Sequence, residues 1–185
     1  MEVKGKLTIK TRDGRELEYK GKANIDDVSD ARRVESGGNT EFQSMNADDI
    51  QIKGAVEFDN IRGRDVELKG KVRGNSIESD SLEIVFSGRS HVDKIVCGNA
   101  KITMADLTGM KNAGEIVQDV LDGIFSSKLN LHLDKFSETN DDASMQIERL
   151  ECDRAILRGK CEIGILKCKS CDASGDVKIN KREEV

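Results

Sequence analysis

Four of the five cysteines in this chain lie close together near its C-terminus, which makes them the first candidates for chemistry. Cys152, Cys161, Cys168 and Cys171 fall in the stretch CDRAILRGKCEIGILKCKSC, and the last two have C-x-x-C spacing. Thiolates at that spacing bind zinc or form a redox pair. A structural zinc site usually takes two close pairs of ligands, whereas this stretch holds one. Three hypotheses follow: zinc ligation, a redox pair, and packing as small hydrophobic side chains.

Other motifs for catalysis or phosphate binding are missing from the sequence. His91 and His132 have no serine or cysteine pattern around them that would complete a catalytic triad, so we expect corner or surface positions. The glycines form neither a P-loop nor a strand-linked G-x-G-x-x-G, so the usual phosphate cradle is not encoded. We therefore predict a protein that is not an enzyme, with no catalytic residue, cofactor, metal ligand or small-molecule substrate.

Composition and charge limit the classes of partner. The net charge of −5 comes from 35 acidic and 30 basic residues spread along the chain, which argues against a nucleic-acid or anionic-membrane partner. No stretch is apolar enough for a membrane span or a signal peptide. We expect a cytoplasmic protein with reduced thiols and no direct membrane binding. Hydrophobic residues make up only 36% of the chain, which predicts a thin, elongated core.

The cysteines belong to an internal repeat of the sequence. Residues 147–163 match the residues 16 positions later at most apolar positions, and an earlier block repeats Ile50 at Val66 and Leu82. After the SGRS stretch the offset becomes 18, which carries Ile77 to Ile95. The matched pairs in the C-terminal block include Leu150 with Leu166, Cys152 with Cys168, Ala155 with Cys171, Gly159 with Gly175, and Cys161 with Val177. Because each cysteine occupies a small apolar position of the repeat, packing is the favoured hypothesis.

Within each repeat, apolar and polar residues alternate, as in DIQIKGAVEF and DVELKGKV. This period of two is typical of strands, and glycines mark the turns between them. A unit of about 16–18 residues is too short for a helical repeat but fits one coil of a β-solenoid. We therefore predict an all-β fold whose equivalent residues stack about 4.8 Å apart along the axis.

Three segments fall outside the coils. Alternation over residues 3–23 around Asp13-Gly14 predicts an N-terminal hairpin, and residues 24–41 are predicted to be a polar connection. Residues 105–146 are predicted to be an insertion, in which AGEIVQDVLDGIF (113–125) forms an amphipathic helix that packs on a flank or over an end. The predicted organisation is therefore hairpin and connection over 1–41, coils over 42–104, the insertion, and closing coils over 147–185. Residues 42–185 are predicted to form one domain.

This organisation resembles the bactofilins, bacterial cytoskeletal proteins that form filaments from β-helical subunits. The resemblance rests on the rhythm of ADDIQIKGAVEFDNIRGRDVELKGKVRGNSIESDSLEI and on IERLECDRAILRGKCEIGILKCKSCDASGDVKINKR, which is similar to the closing coils of Firmicutes-type members. It implies a right-handed, roughly triangular parallel β-helix whose subunits join end to end without nucleotide. The N-terminal hairpin and the lack of proline-rich flanks depart from the family pattern.

Two functions follow from a solenoid whose ends must be either capped or used for assembly. In the first, the chain is a non-enzymatic scaffold that assembles end to end with itself or a paralogous scaffold protein. Its predicted assembly residues are Phe42, Met45 and Ile50 at one end, and Val177 and Ile179 at the other. In the alternative, the hairpin caps one end and the chain is a protein-binding module that does not polymerise.

Overall fold

The chain is built from strands stacked into a single sheet, as seen in a computed structural model. The structure describes residues 2–10, 16–105 and 143–184, with side chains from residue 31 onward. Within these ranges every regular element is a strand. The strands are β1 (Glu2–Lys10), β2 (Glu16–Phe86), β3 (Arg89–Met104), β4 (Ser144–Arg158), β5 (Cys161–Ser174) and β6 (Val177–Glu183).

The strands follow one another in the sheet in chain order, and all pairs after the first are parallel. Ile77 of β2 lies beside Ile95 of β3, and the same offset of 18 holds along the whole pairing. β4 pairs with β5, and β5 with β6, at an offset of 16, which places Ile147 beside Ile163 and Ile163 beside Ile179. The predicted all-β class, the parallel pairing and the offsets of 16 and 18 are therefore confirmed, and the closed solenoid remains a prediction. We call each repeat of the stacked chain a layer.

β2 stacks on itself in the same way. Its 71 residues would span about 230 Å if straight, at about 3.3 Å per residue, so the strand must bend repeatedly. Phe42 and Phe58 are related by the offset of 16, and their rings stack with centroids 5.8 Å apart. The side-chain amide of Asn75 donates a hydrogen bond of 3.0 Å to Asp59, which is related to it by the same offset. The repeat predicted from the sequence of this segment therefore describes neighbouring layers of β2.

One corner of the layers is lined by glycines in the left-handed backbone region. Gly54 and Gly70 have φ values of 122° and 126°, and a Cβ on either would collide with the carbonyl oxygen of the glycine one layer earlier. Only glycine fits where neighbouring backbones approach so closely. In the two layers after Gly70, the equivalent position is held by Phe86, the last residue of β2, and by Met104, the last residue of β3. The glycine column is therefore interrupted next to the two places where the offset of 16 is lost. Its positive-φ members are Gly38, Gly54, Gly70, Gly159 and Gly175.

The core is one narrow cluster that runs through all the layers with described side chains. Alternate residues of each strand point into it, as the burial pattern of β4 shows, because successive side chains of a strand face opposite ways. Small residues occupy one inward column, and larger aliphatic residues such as Ile77, Ile95 and Leu150 occupy the inward column just before it. The small column contains Ala31, Ala47, Gly63, Ser79, Cys97, Cys152 and Cys168.

Two predictions of local structure are wrong. Residues 24–41, predicted to be a polar connection, belong to β2. From residue 31 onward, the inward side chains of this segment are buried, and each lies one offset of 16 before a buried residue of the next layer, so this part of the segment forms a layer of its own. These pairs are Ala31 with Ala47, Val34 with Ile50, and Ser36 with Ile52. The second error concerns the predicted insertion, since β4 begins at Ser144 and thus inside it.

The N-terminal pairing agrees with the hairpin prediction. β1 pairs antiparallel with residues 16–24, with Lys10 beside Glu16 and Glu2 beside Asn24. The predicted turn at Asp13-Gly14, the predicted helix over residues 113–125 and the predicted surface residue His132 lie outside the described residues.

Candidate functional site

The C-terminal end of the stack is only half covered. β6 pairs with Cys161–Lys167, the first half of β5. The second half of β5, residues 168–174, pairs with β4 on one side and has no strand beside it on the other side among the described residues. Backbone N–H and C=O groups along such an edge can pair with another strand. The chain therefore presents a short step with an open strand edge, which we call the C-terminal edge (168–174).

The side chains at this end are apolar and incompletely covered. Val177 lies beside Cys161 and Ile179 beside Ile163, as predicted. Both residues are half-buried against the core, whereas Cys161 and Ile163 beneath them are fully buried. The core thus continues to β6, the last strand of the described residues, where the inward side chains are only partly covered. Val177 and Ile179 both lie on this strand, and their part in assembly stays a prediction.

The other three predicted assembly residues lie inside the molecule. Phe42, Met45 and Ile50 are 3%, 1% and 0% exposed. They are interior because β2 starts at Glu16, so a layer that the sequence analysis placed in a connection precedes them. At this N-terminal end, β1 pairs antiparallel with residues 16–24. The structure does not place these three side chains at either end of the sheet.

Charged side chains hold β6 in place. Arg149 of β4 donates from Nε to Glu151 at 2.6 Å and from Nη2 to Glu183 of β6 at 3.1 Å, which links strands that are two layers apart. Lys178 donates to Glu162 of β5 at 3.1 Å. The hydrogen bond from Lys181, aided by Arg149, holds the pKa of Glu183 below its ordinary value. Both ends of the short last strand are thus tied to the layers below.

Three of the cysteines form one ladder in the small inward column. The predicted stacking of Cys168 on Cys152 is confirmed, as is that of Cys171 on Ala155. The structure adds Cys97, which lies beside Cys152 in the layer below. Sequence reasoning missed this contact because the two residues are far apart in the chain and the repeat is interrupted between them. All five thiols are unbridged, and Cys97, Cys152 and Cys161 are buried.

The surroundings of the buried thiols set their acidity. The Cys152 thiol hydrogen-bonds the sulfur of Cys97, which lowers the pKa of Cys97 and raises that of Cys152. Burial alone raises the pKa of Cys161 to about 12. Over the described residues, no group of three or more histidine, cysteine or acidic side chains is arranged to hold a metal ion. The buried cysteines of the ladder pack as small side chains of the core.

A shallow cavity of about 740 Å³ runs along one face of several layers and is lined by both acidic and basic side chains. His91 in this lining is paired through Nε2 with Asp93 at 2.7 Å, which agrees with its prediction as a corner or surface residue. The hydroxyl of the neighbouring Ser90 accepts the backbone N–H of Val72 and donates to the carbonyl of Gly88. The serine is thus engaged by the backbone and is not activated by the histidine. The cavity is therefore a mixed-charge surface in which Ser90 and His91 are engaged by separate partners.

Comparisons with known proteins give no match to a family model, to a characterised protein or to a solved structure. No helix within the described ranges is long and apolar enough to cross a membrane.

Proposed function

We propose that this chain is a non-enzymatic scaffold protein, bactofilin-like, whose layers form a β-solenoid and whose copies join end to end without nucleotide. The in-register parallel pairing of β2 to β6 supports the solenoid, because the chain returns beside itself at regular offsets. The single continuous core supports it too, since each layer is stabilised by its neighbours. This architecture is the one that the bactofilin resemblance implies.

The proposal that copies assemble end to end rests on the half-covered C-terminal end of the sheet. A strand from a second copy that pairs along the C-terminal edge would satisfy its open backbone groups. A further strand of that copy, paired along the outer edge of β6, would cover the half-buried side chains of Val177 and Ile179. The contact would be modest, so we expect assembly to depend on protein concentration. The partner is another copy of the chain or a paralogous scaffold protein.

The N-terminal end favours the second candidate, a capped protein-binding module. β1 runs antiparallel to the first residues of β2, so it interrupts the parallel pairing that further layers would continue. Its sequence, EVKGKLTIK, carries lysines, which natural edge strands use to prevent unwanted pairing. A chain capped at this end and bound to a different protein at the other would not polymerise.

Negative-stain microscopy and light scattering over a range of protein and salt concentrations test the scaffold. We expect oligomers or filaments that grow with concentration, and Ile179→Lys should abolish them because it places a charge on the half-buried contact. Asn180→Lys is the matched control, since Asn180 is exposed on the other face of the same strand and should leave assembly unchanged. Monomers under all conditions would refute the proposal.

Removal of residues 1–15 separates the two candidates. If β1 is a cap, its loss should create a second open edge at β2 and provoke new assembly. If assembly of the truncated chain equals that of the full chain, β1 does not act as a cap.

A further inference from the structure

We propose that Cys168 and Cys171 form a reversible dithiol–disulfide pair at the C-terminal edge, which takes a low-molecular-weight disulfide as its oxidant. This site goes beyond the proposed assembly and does not depend on it. It rests on the position of the two residues within the layer and on their exposure.

The two residues occupy inward positions separated by two outward-facing residues, a pattern that recurs from layer to layer and marks a corner of the strand. The equivalent pairs in lower layers are buried at both positions, for example Cys97 with Ala100 and Cys152 with Ala155. Only the last layer has a thiol at both positions. The corner that holds two small side chains in the lower layers therefore holds two thiols in this one. Both side chains pack against the core from that corner.

Exposure distinguishes this pair from the rest of the cysteines. β6 ends its pairing at Lys167, so no strand of the described chain covers Cys168 and Cys171. Both are half-buried, whereas Cys97, Cys152 and Cys161 are buried. A dissolved disulfide can reach the pair from the open end without unfolding of the layers. Access, together with thiolate character, decides which cysteines react.

Nearby charge supports the reaction. Partial burial raises the pKa of both thiols, and the guanidinium of Arg182 opposes that effect at each of them. Arg182 lies on β6 beside Leu166, one layer above the pair's own strand. The cation stabilises the thiolate that attacks the oxidant.

The ladder neighbour Cys152 is a poorer partner for Cys168. Residues directly beside each other on parallel strands are separated by about 4.8 Å, the distance between strands. That spacing lies within the range of Cα distances that a disulfide spans, but Cys152 is buried whereas Cys171 is half-buried at the open edge, so a dissolved oxidant reaches Cys171 more readily than Cys152. We therefore expect the bridge across the corner and not along the ladder.

The reaction with oxidised glutathione proceeds in two exchange steps. The thiolate of one cysteine attacks a sulfur of glutathione disulfide, forms a mixed disulfide and releases one glutathione thiolate. The second protein thiolate then attacks the protein sulfur of that mixed disulfide and releases the second glutathione thiolate. The two protons lost by the protein are taken up by the released thiolates. The net result is one protein disulfide and two reduced glutathione molecules.

Peptide mapping of the full chain after equilibration in glutathione redox buffers tests the proposal. Free thiols are blocked with N-ethylmaleimide at acidic pH, and trypsin then cleaves after Lys167, Lys169 and Lys178. A Cys168–Cys171 bridge therefore yields the dipeptide 168–169 linked to the peptide 170–178. We expect this linked product to dominate under oxidising buffer and to disappear with dithiothreitol. Equilibration is carried out at a protein concentration at which light scattering shows monomers, so that no second copy covers the edge and the outcome does not depend on assembly.

Variants make the test specific. Cys171→Ser should leave only a mixed disulfide at Cys168, and Cys161→Ser should leave the linked product unchanged. Arg182→Gln should slow oxidation severalfold at neutral pH, and the difference should shrink in alkali where both thiols ionise without help. A bridge between Cys152 and Cys168, or mixed disulfides without the linked product in the unaltered chain, would overturn the proposal.

Discussion

The ring of Phe58 lies in the space that a side chain at Gly74 would need. Gly74 follows Phe58 by one layer, and three of the ring carbons are the atoms nearest to a Cβ built on that glycine. On its other side, the Phe58 ring stacks on Phe42 at an interplanar angle of 15°. Two aromatic layers are therefore accommodated because the third layer has no side chain at the equivalent position. The absence of a side chain at Gly74 is part of the packing of the core.

We predict that Gly74→Ala lowers the free energy of unfolding by about 1–3 kcal/mol, the usual cost of adding an atom group to a filled core. The added methyl group must displace the Phe58 ring, which is buried. Urea unfolding followed by circular dichroism measures the change. Gly88→Ala is the matched control, since no described atom lies within 4 Å of a Cβ at that position.

A double-mutant cycle isolates the contact between the two residues. In a Phe58→Leu background, Gly74→Ala should cost less than it does with the phenylalanine present, because the ring carbons are gone. Equal costs in the two backgrounds would show that the contact does not explain the loss of stability.

The glycine corner leads to a second prediction. Gly54→Ala combines a φ of 122° with a collision against the carbonyl oxygen of Gly38, so it should destabilise the chain more than Gly74→Ala. Backbone strain of this kind alone costs about 1–3 kcal/mol. Thermal unfolding of the two variants, run side by side, gives the comparison.

Gly175 lies at the same corner and gives a milder case with which the loss of stability at Gly54 can be compared. Its φ is 88°, but the nearest atoms to a Cβ there are those of Gly159 at 2.9–3.0 Å, and it lies in the exposed last layer. We expect Gly175→Ala to cost clearly less than Gly54→Ala. Equal losses would mean that φ alone, without the close approach of backbones, sets the need for glycine.

The repeat made most of the architecture predictable from the sequence. Ile147, Ile163 and Ile179 are identical residues at one inward column, so the offset of 16 can be found by comparison of the chain with itself. The segment 24–41 escapes this comparison because its buried residues include Ala31, Ser36 and Thr40, which are small or polar and do not stand out from the polar residues around them. Apolar periodicity weakens where a layer is filled by small side chains.

Contacts across an interruption of the repeat could not be predicted. Cys97 and Cys152 are neighbours, but the segment between them contains an insertion that no offset of 16 or 18 reveals. The open C-terminal edge was similarly hidden, because it depends on where β6 stops pairing and not on any residue type. The stacking of Val177 on Cys161 and of Ile179 on Ile163 was predictable, because the offset of 16 continues into β6.

A third prediction concerns the pair of Arg158 and Asp172 on the outside of the last layers. The guanidinium donates to both carboxylate oxygens, and this hydrogen bonding lowers the pKa of Asp172. Stability from a lowered carboxyl pKa is present above the ordinary value of about 3.9 and is lost as the pH falls through the lowered value. We therefore expect Arg158→Gln to raise the pKa of Asp172 and to weaken this acid dependence.

Carboxyl titration by nuclear magnetic resonance measures that shift in the intact chain. Glu162 is the internal control, since its pKa is lowered by Lys178 and should stay low in the Arg158 variant. An unchanged Asp172 titration would show that the pair is not formed in solution. Because both side chains are exposed, we expect only a small effect on stability at neutral pH.

The fourth prediction is a division of the cysteines by reactivity. At pH 8, iodoacetamide should modify Cys168 and Cys171 first, because they are half-buried at an edge that no described strand covers. Cys161 should be protected, since Val177 covers it and its pKa is raised to about 12. At that pKa about one thiol in ten thousand is ionised at pH 8. Mass spectrometry of the digested protein gives the order of modification.

Removal of β6 tests why Cys161 is protected. A chain that stops at Asp176 lacks the strand that pairs with Cys161–Lys167, so solvent reaches the thiol and its pKa should fall towards the ordinary value. We expect alkylation of Cys161 to accelerate at least tenfold in this truncated chain. Cys97 should stay unreactive, because β4 still covers it from the next layer. Equal rates for Cys161 with and without β6 would show that the strand does not shield the core, whereas faster modification of Cys97 as well would indicate that the truncation opens the whole stack.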